Sequence, residues 1–425
     1  MMTTNVQHIR VHIIPTVFEG ARARPQAREL PRDLLASLTL YCLCAGSVAL
    51  VFLDWIFDFG LISFPLGKII RALLLVVFTI YIVRTGVRFG KHGFRFGRVL
   101  GFFLALNLSY TFLSGDIVGN LYYSSRIVFW ICGTVVVYRL ALSGILSEKA
   151  LMRTTVSTVL LGAAFTIYLM TLPDIRAGQN ASAYLLLWCL PLLLMLKKSM
   201  LVNIIVGIAI FAILLTVKRG AMIALGLSIV AYGVTYVKLH RDFRVAARLA
   251  MLFALFALIA AYALAHNWDA VKKRFEDKSG SGRDKMYSEL INHYVMAEPS
   301  NLLLGFGIRS VERYNGLLYH GDENVTSVYA HSDWLQFTHD FGLLGFGFLV
   351  WLHVRFLCLV FDGLKKRHDY TPPLVMGYVI LFLVNMYSGH LMAPDAFYFG
   401  ILVAHASAFL GNNRDDIHLC IRQIC

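Results

Sequence analysis

The chain has 425 residues, 58% hydrophobic and only 15% charged, with a mean hydropathy of +0.66. So little polar surface excludes a water-soluble protein of any domain count, and the bilayer must be its solvent. The formal charge of +14 follows membrane topology and attraction to anionic lipid, so a nucleic-acid partner gains nothing from it.

Residues 1–33 are basic, and the apolar run behind them lacks a small-residue cleavage site, so it reads as an uncleaved first span. Apolar runs then lie at Leu34–Leu53, Leu61–Val83, Val99–Leu113, Leu121–Leu142, Met152–Leu172, Ala181–Leu196, Met200–Val217, Ala221–Val237, Ala246–Ala265, Phe341–Phe361, Leu374–Tyr387 and Ala396–Leu410. Several approach the length of about 20 residues that crosses a hydrocarbon core. The expected fold is therefore all-α and polytopic, with about twelve transmembrane helices. One large, partly helical external loop is expected between the ninth and tenth.

Basic residues orient this arrangement. One set of connections, from Arg10 to Arg422, carries 24 Lys and Arg, whereas the alternate short connections carry three: Arg176, Lys218 and Arg219. Positive-inside bias puts the first set, and both termini, in the cytoplasm. The chain divides into a cytoplasmic N-terminus (1–33), spans one to nine (34–266), an external loop (267–333), spans ten to twelve (334–411) and a cytoplasmic tail (412–425). All seven cysteines fall in spans or on the cytoplasmic side, so the loop is expected to hold no disulfide and no cysteine-based metal site. No internal repeat is visible, which disfavours an inverted-repeat transporter.

The loop carries most of the chemistry. Trp268 leaves the ninth span at the interface, where an amphipathic ring is at home. Arg283–Ala297 reads as an amphipathic helix with Met286, Leu290, Tyr294 and the neighbouring Tyr287, Ile291 and Val295 on one side, lying on the membrane surface or capping a cavity. Arg283 in its first turn opposes the macrodipole, a broken local rule of the kind found at functional sites. Gly305, Phe306 and Gly307 read as a tight turn, and a polar tract with Tyr314, Asn315, Asp322 and Asn324 leads to His331. Asp333 with Gln336 resembles a capping pair opening the tenth span. His331 then sits just before a helix N-terminus, whose dipole keeps its imidazole neutral and able to accept a proton.

These residues resemble a family, the O-antigen ligase and O-antigen polymerase superfamily. Its loop signature is His, then Asn, Ser or Gln, nine residues, Gly, two residues, and Gly, Thr or Tyr. His331, Ser332, the nine from Asp333 to Phe341, Gly342 and Gly345 fit it throughout. A second motif, Arg followed four positions later by Leu, is met by Arg219 with the departure Ile223. A third similarity is Ser281-Gly282-Arg283. The resemblance implies a bacterial inner-membrane enzyme whose active loop is periplasmic. Such an enzyme moves a glycan from an undecaprenyl diphosphate-linked donor to a hydroxyl of lipid A-core or of a growing glycan. It implies an inverting transfer without cofactor or metal. By resemblance, Arg219 and Arg283 hold the diphosphate and His331 is the base. The chemistry agrees, since an Arg fork binds phosphate oxygens bidentately and a near-neutral imidazole suits a hydroxyl proton.

Plainer readings compete. His331 as a loop hydrogen-bonder, Arg219 as an interfacial anchor and Arg283 as a solvated charge are the rivals. Lys218 reads first as a lipid-headgroup contact and second as a substrate contact. Arg126, near the outer end of the fourth span, either pairs with Asp116 or lines the donor cavity. Arg309 and Arg313 read first as solvated charges, with Arg309 and Ser332 kept as candidate substrate contacts. His320, His339, His390 and Asp395 match no standard ligand spacing, so no metal is expected. Three functions stay open: ligase, repeat-unit polymerase, and a non-catalytic glycan or lipid transporter.

Overall fold

The computed structural model describes residues 34–58, 66–86, 94–113, 116–170, 179–196, 199–216, 218–241, 243–265, 272, 283–318, 330–389, 391, 393 and 395–410. The regular structure there is helical. A first apolar stretch comprises α1 (Leu34–Tyr41), a π-helical turn (Cys42–Gly46) and α2 (Ser47–Asp58). Then follow α3 (Leu66–Thr85), α4 (Gly97–Leu113), α5 (Ile117–Leu142), α6 (Glu148–Met170), α7 (Gln179–Met195), α8 (Met200–Leu215), α9 (Arg219–His240) and α10 (Phe243–Ala265). Three helices form the loop: α11 (Arg283–Val295), α12 (Pro299–Leu304) and α13 (Ser310–Leu318). The chain closes with α14 (Asp333–Lys366), α15 (Thr371–Tyr387) and α16 (Ala396–Leu410).

Every apolar run of the sequence contains a helix. Among the described residues five helical stretches, 66–85, 119–142, 148–169, 219–240 and 333–366, are long and apolar enough to cross a membrane, and six shorter apolar ones accompany them. Such stretches go into lipid as helices because only there does each backbone polar group find an internal partner. α9 packs along α15, and α16 along α5. The second pair approaches closely because Gly400 lies against Thr134 and Gly133 against Phe397.

Contacts at the helix ends give the bundle two unlike faces. On one, Arg95 meets Asp362 at 2.5 Å, the Tyr370 hydroxyl donates to Glu148 at 2.9 Å, and Arg139 donates to the Thr85 carbonyl at 2.8 Å. Lys365, Lys366, Arg367 and Lys238 gather at that end too. The other face carries the loop helices. There the Tyr110 hydroxyl of α4 donates to the Leu304 carbonyl, and Asp116, the N-cap of α5, lies 4.0 Å from Arg309. The loop therefore stands opposite the basic end.

α14 opens at Asp333 and breaks at Gly342, whose φ of 62° and ψ of −149° lie outside helical space. At its start a local expectation is corrected. Asp333 and Gln336 do not form a capping pair: the Asp333 carboxylate accepts from the Leu391 N–H at 3.3 Å, and the Gln336 amide donates to Asp340 at 2.9 Å. Both side chains are buried, and each takes a partner at hand there: Asp333 a backbone N–H 58 residues away, Gln336 a carboxylate one turn along its own helix. One side of the amphipathic helix is turned inward, whereas Ile291 and Val295, expected on that same side, are exposed. Met286 and Leu290 are buried with Val311 and Ala330 in a small core of the loop's own. Trp268, Ser281, Gly282, His320, Asp322, Asn324, Arg176 and His390 lie outside the described residues.

Candidate functional site

The two signature regions meet through small residues. α9 opens at Arg219 with Lys218 as an N-cap lacking a side-chain cap, so its dipole and first N–H groups face the loop side. A Cβ on Gly220 would lie 3.1 Å from the Tyr184 hydroxyl of α7 and 3.4 Å from Ser388 Oγ at the end of α15. Tyr184 and Ser388 hydrogen-bond each other, and Lys218 Nζ stands 5.7 Å from the centre of the Tyr184 ring. One residue on, Gly389 turns at φ 65°, and a Cβ there would meet the backbone of Ser332 and Asp333 at 3.2–3.4 Å. Ser332 Oγ donates to the Asn385 carbonyl at 3.2 Å. The start of α9 and the start of α14 thus adjoin across the end of α15. Lys218 and Arg219 come to the same part of the loop face as His331 and Ser332.

His331 is half-buried and its backbone is left-handed, with φ 51°. The Tyr287 hydroxyl of α11 donates to its carbonyl at 3.2 Å. Among the described residues four non-glycines have positive φ. Arg241 and Arg367 are helix C-caps; the other two are His331 and Arg309. Left-handed backbone at a side chain costs energy and is held by its surroundings, typically where function needs a set direction.

Arg309 (φ 61°) is aimed by the buried scaffold beside it. Asp340 of α14 is fully buried and accepts from the N–H groups of Arg309 (3.2 Å), Ser310 (2.9 Å) and Val311 (3.3 Å), from Ser310 Oγ (2.7 Å) and from Gln336 (2.9 Å). A carboxylate from another helix thereby caps α13 in place of a local N-cap residue. Ser310 Oγ also meets His339 Nδ1 at 2.7 Å, and His339 Nε2 meets His293 Nδ1 at 2.9 Å. Since the Ser310 proton goes to Asp340, donor counting makes His339 Nδ1 the donor to Ser310 and its Nε2 the acceptor from His293. Phe306 and Tyr314 stack on the two sides of His293. Backbone bonds from Phe306 N–H to the His339 carbonyl (2.9 Å) and from Gly307 N–H to the Asp340 carbonyl (3.0 Å) lock the glycine turn.

A cationic group forms beyond Asp340. Arg309 Nε donates to Glu312 at 2.7 Å, and the charges of Arg126 and Arg313 also act on that carboxylate. Burial still pushes the Glu312 pKa above the usual carboxylate range, with the arginines opposing the rise. Arg126 therefore joins Arg309 and Glu312 across α5 and α13. Arg283 occupies the first position of α11, as expected from the sequence. Sequence reasoning missed Tyr184, Ser388, Asp340, Ser310 and Arg71. Arg71 is 1% exposed inside α3, with Nη1 3.5 Å from Ser125 Oγ, the neighbour of Arg126. An ionisable residue buried within a span was the signal available for it. His339, treated in the sequence as one member of an improbable metal set, is 2% exposed and belongs to the scaffold. No group of three metal-binding side chains occurs among the described residues.

In sum of charge and geometry, the face offers a forked cation and an ammonium at an open helix N-terminus, an imidazole held at a second N-terminus, and a further arginine group across the loop. An array of this chemistry is able to hold a multiply charged anion and to accept a proton beside it. Against known families, the model of the O-antigen ligase family matches residues 204–350. No curated protein gives a significant match. The matched stretch begins within α8, contains α9 with Arg219, spans the loop helices, and ends in α14 beyond Gly345.

Proposed function

From the domain at residues 204–350, which makes this chain a member of the O-antigen ligase superfamily and a membrane protein of glycan transfer, we propose that it is a ligase acting on the periplasmic face. In this reading the donor is a glycan on undecaprenyl diphosphate and the acceptor a hydroxyl of lipid A-core. The observation that carries it is the adjacency of Arg219 and His331 across Gly220, Ser388 and Gly389.

The chemistry follows from that adjacency. Arg219 and Lys218, with the first N–H groups of α9, hold the diphosphate, and Arg283, Arg309 and Arg126 extend the cationic surface. His331 takes the acceptor proton as that oxygen attacks the anomeric carbon. The bond from that carbon to the diphosphate breaks on the opposite side, releasing undecaprenyl diphosphate and inverting the centre. Ser332 positions the turn that carries His331. The leaving diphosphate is stabilised by the cations it already touches, so no metal is assigned a step. The opposite, basic end of the bundle supports a cytoplasmic position for 1–33 and 412–425 and a periplasmic one for 267–333.

Purified protein in nanodiscs, given undecaprenyl diphosphate-linked glycan and lipid A-core with chelator present, should yield lipid A-core carrying the glycan. Elongated donor without that product would make the protein a polymerase. Donor translocation in proteoliposomes without any new glycosidic bond would make it a transporter. Cysteine at Ser300 should react with an impermeant thiol reagent outside spheroplasts and cysteine at His240 should not; the reverse pattern would overturn the orientation.

A further inference from the structure

The apolar residues of the loop do not all serve its own core. On α11, Met286 and Leu290 turn inward, whereas Ile291 (47% exposed), Val295 (61%) and Met296 (86%) turn outward at its C-terminal end. α12 follows with no buried residue, and its Leu303 and Leu304 are about half exposed. An apolar corner of this kind, in water, is an unpaid cost unless something covers it.

What covers it follows from where the corner is fixed. The Tyr294 hydroxyl donates to the Leu302 carbonyl at 2.5 Å, tying α11 to α12. Tyr110, near the loop-side end of α4, donates to the Leu304 carbonyl. A Cβ on Gly342 would stand 2.5 Å from the Leu303 backbone, so α12 lies backbone to backbone on the break in α14. Beyond that break, the apolar face of α14 is open at Leu343 (55% exposed). The corner's apolar surface is thus continuous with the lipid-facing surface of a spanning helix.

We propose that the α11–α12 corner is seated in the bilayer, dipping Val295, Met296 and Leu303 into the leaflet on the loop face. Its partner is the lipid surface surrounding α4 and α14. The seat holds the loop helices at a constant depth, and it does not depend on which reaction the protein performs.

An environment-sensitive fluorophore on Met296→Cys in the full-length protein, in phosphatidylcholine–phosphatidylglycerol nanodiscs, tests this against the identically treated parent. The expected result is blue-shifted emission, quenched by lipids brominated on the upper acyl chain and protected from aqueous iodide. The same label on Leu303→Cys should behave alike. Iodide quenching without bromolipid quenching at both positions would overturn the proposal, as would a shift that appears only when two copies share one nanodisc, which would assign the corner to self-association.

Discussion

Two histidines eight residues apart stand in opposite environments. His339 is 2% exposed, with one ring nitrogen on Ser310 and the other on His293. His331 is half-buried, sits on left-handed backbone, and is gripped by the protein through its carbonyl. His339 is thereby part of the buried scaffold, whereas His331 stands at its edge on a backbone that Tyr287 holds. The difference comes from α14 itself. Its first turns, before Gly342, run along the loop helices and bury one histidine against them, and the residue ahead of the helix is left at the rim.

The largest expected effect breaks the comparison on the His331 side. His331→Ala should lower glycan transfer by about 10²- to 10⁴-fold, the range for a general base, while donor binding and thermal stability stay near those of the parent. Loss of donor binding along with activity would make His331 a diphosphate ligand. Full activity would remove it from the chemistry.

On the scaffold side the signature should reverse. Asp340→Ala strands five donors and should destabilise the loop by about 3 to 5 kcal/mol. The readout is faster limited proteolysis of the 283–318 region and a lower unfolding midpoint. An unchanged midpoint would show that α13 needs no cap from α14.

Between them come the cations. Arg219→Lys retains charge but loses the fork, and a lost charge-assisted hydrogen bond of about 1.5–3 kcal/mol corresponds to roughly 10- to 100-fold in transfer. Arg283→Lys should fall in the same range. Normal transfer at matched expression in both variants would make these arginines headgroup anchors.

The smallest effect concerns Glu312. Its pKa is raised by burial, so the native state holds that proton more tightly than the unfolded chain. Its contribution to stability is therefore full below the ordinary carboxylate pKa and is lost as pH rises through the folded value. Glu312→Gln should flatten that part of the midpoint-versus-pH curve, with a change at neutral pH within about 1 kcal/mol, because Arg309 is partly exposed. An unaltered curve would assign the slope to other groups.

Much of the bundle was legible because long apolar runs go into lipid as helices; motif spacing singled out His331, Ser332 and Arg219, which the fold brings to one part of the loop face. Asp340 was hidden inside the nine spacer residues of that motif. Nothing local distinguishes a carboxylate that caps another helix from one that faces water. Tyr184 and Ser388 were invisible for a related reason: they meet across 204 residues, and no periodicity records such a meeting. The capping pair expected at Asp333 and Gln336 failed because the buried Asp333 turns to the Leu391 N–H, a partner only the tertiary fold supplies, and Gln336 to Asp340 one turn along α14.

The end-to-end contacts also set a timetable. Arg95 and Asp362 are separated by 267 residues, Glu148 and Tyr370 by 222, and Tyr110 and Leu304 by 194. At roughly 5–20 residues per second of translation, the first of these pairs must wait roughly 13 to 53 s between the emergence of its two halves. During that interval the early spans are already in the membrane with Arg95, Tyr110 and Glu148 lacking their final contacts. A chain ending before α14 would hold Arg95 and Glu148 without Asp362 and Tyr370, leaving the basic end of the bundle unclosed.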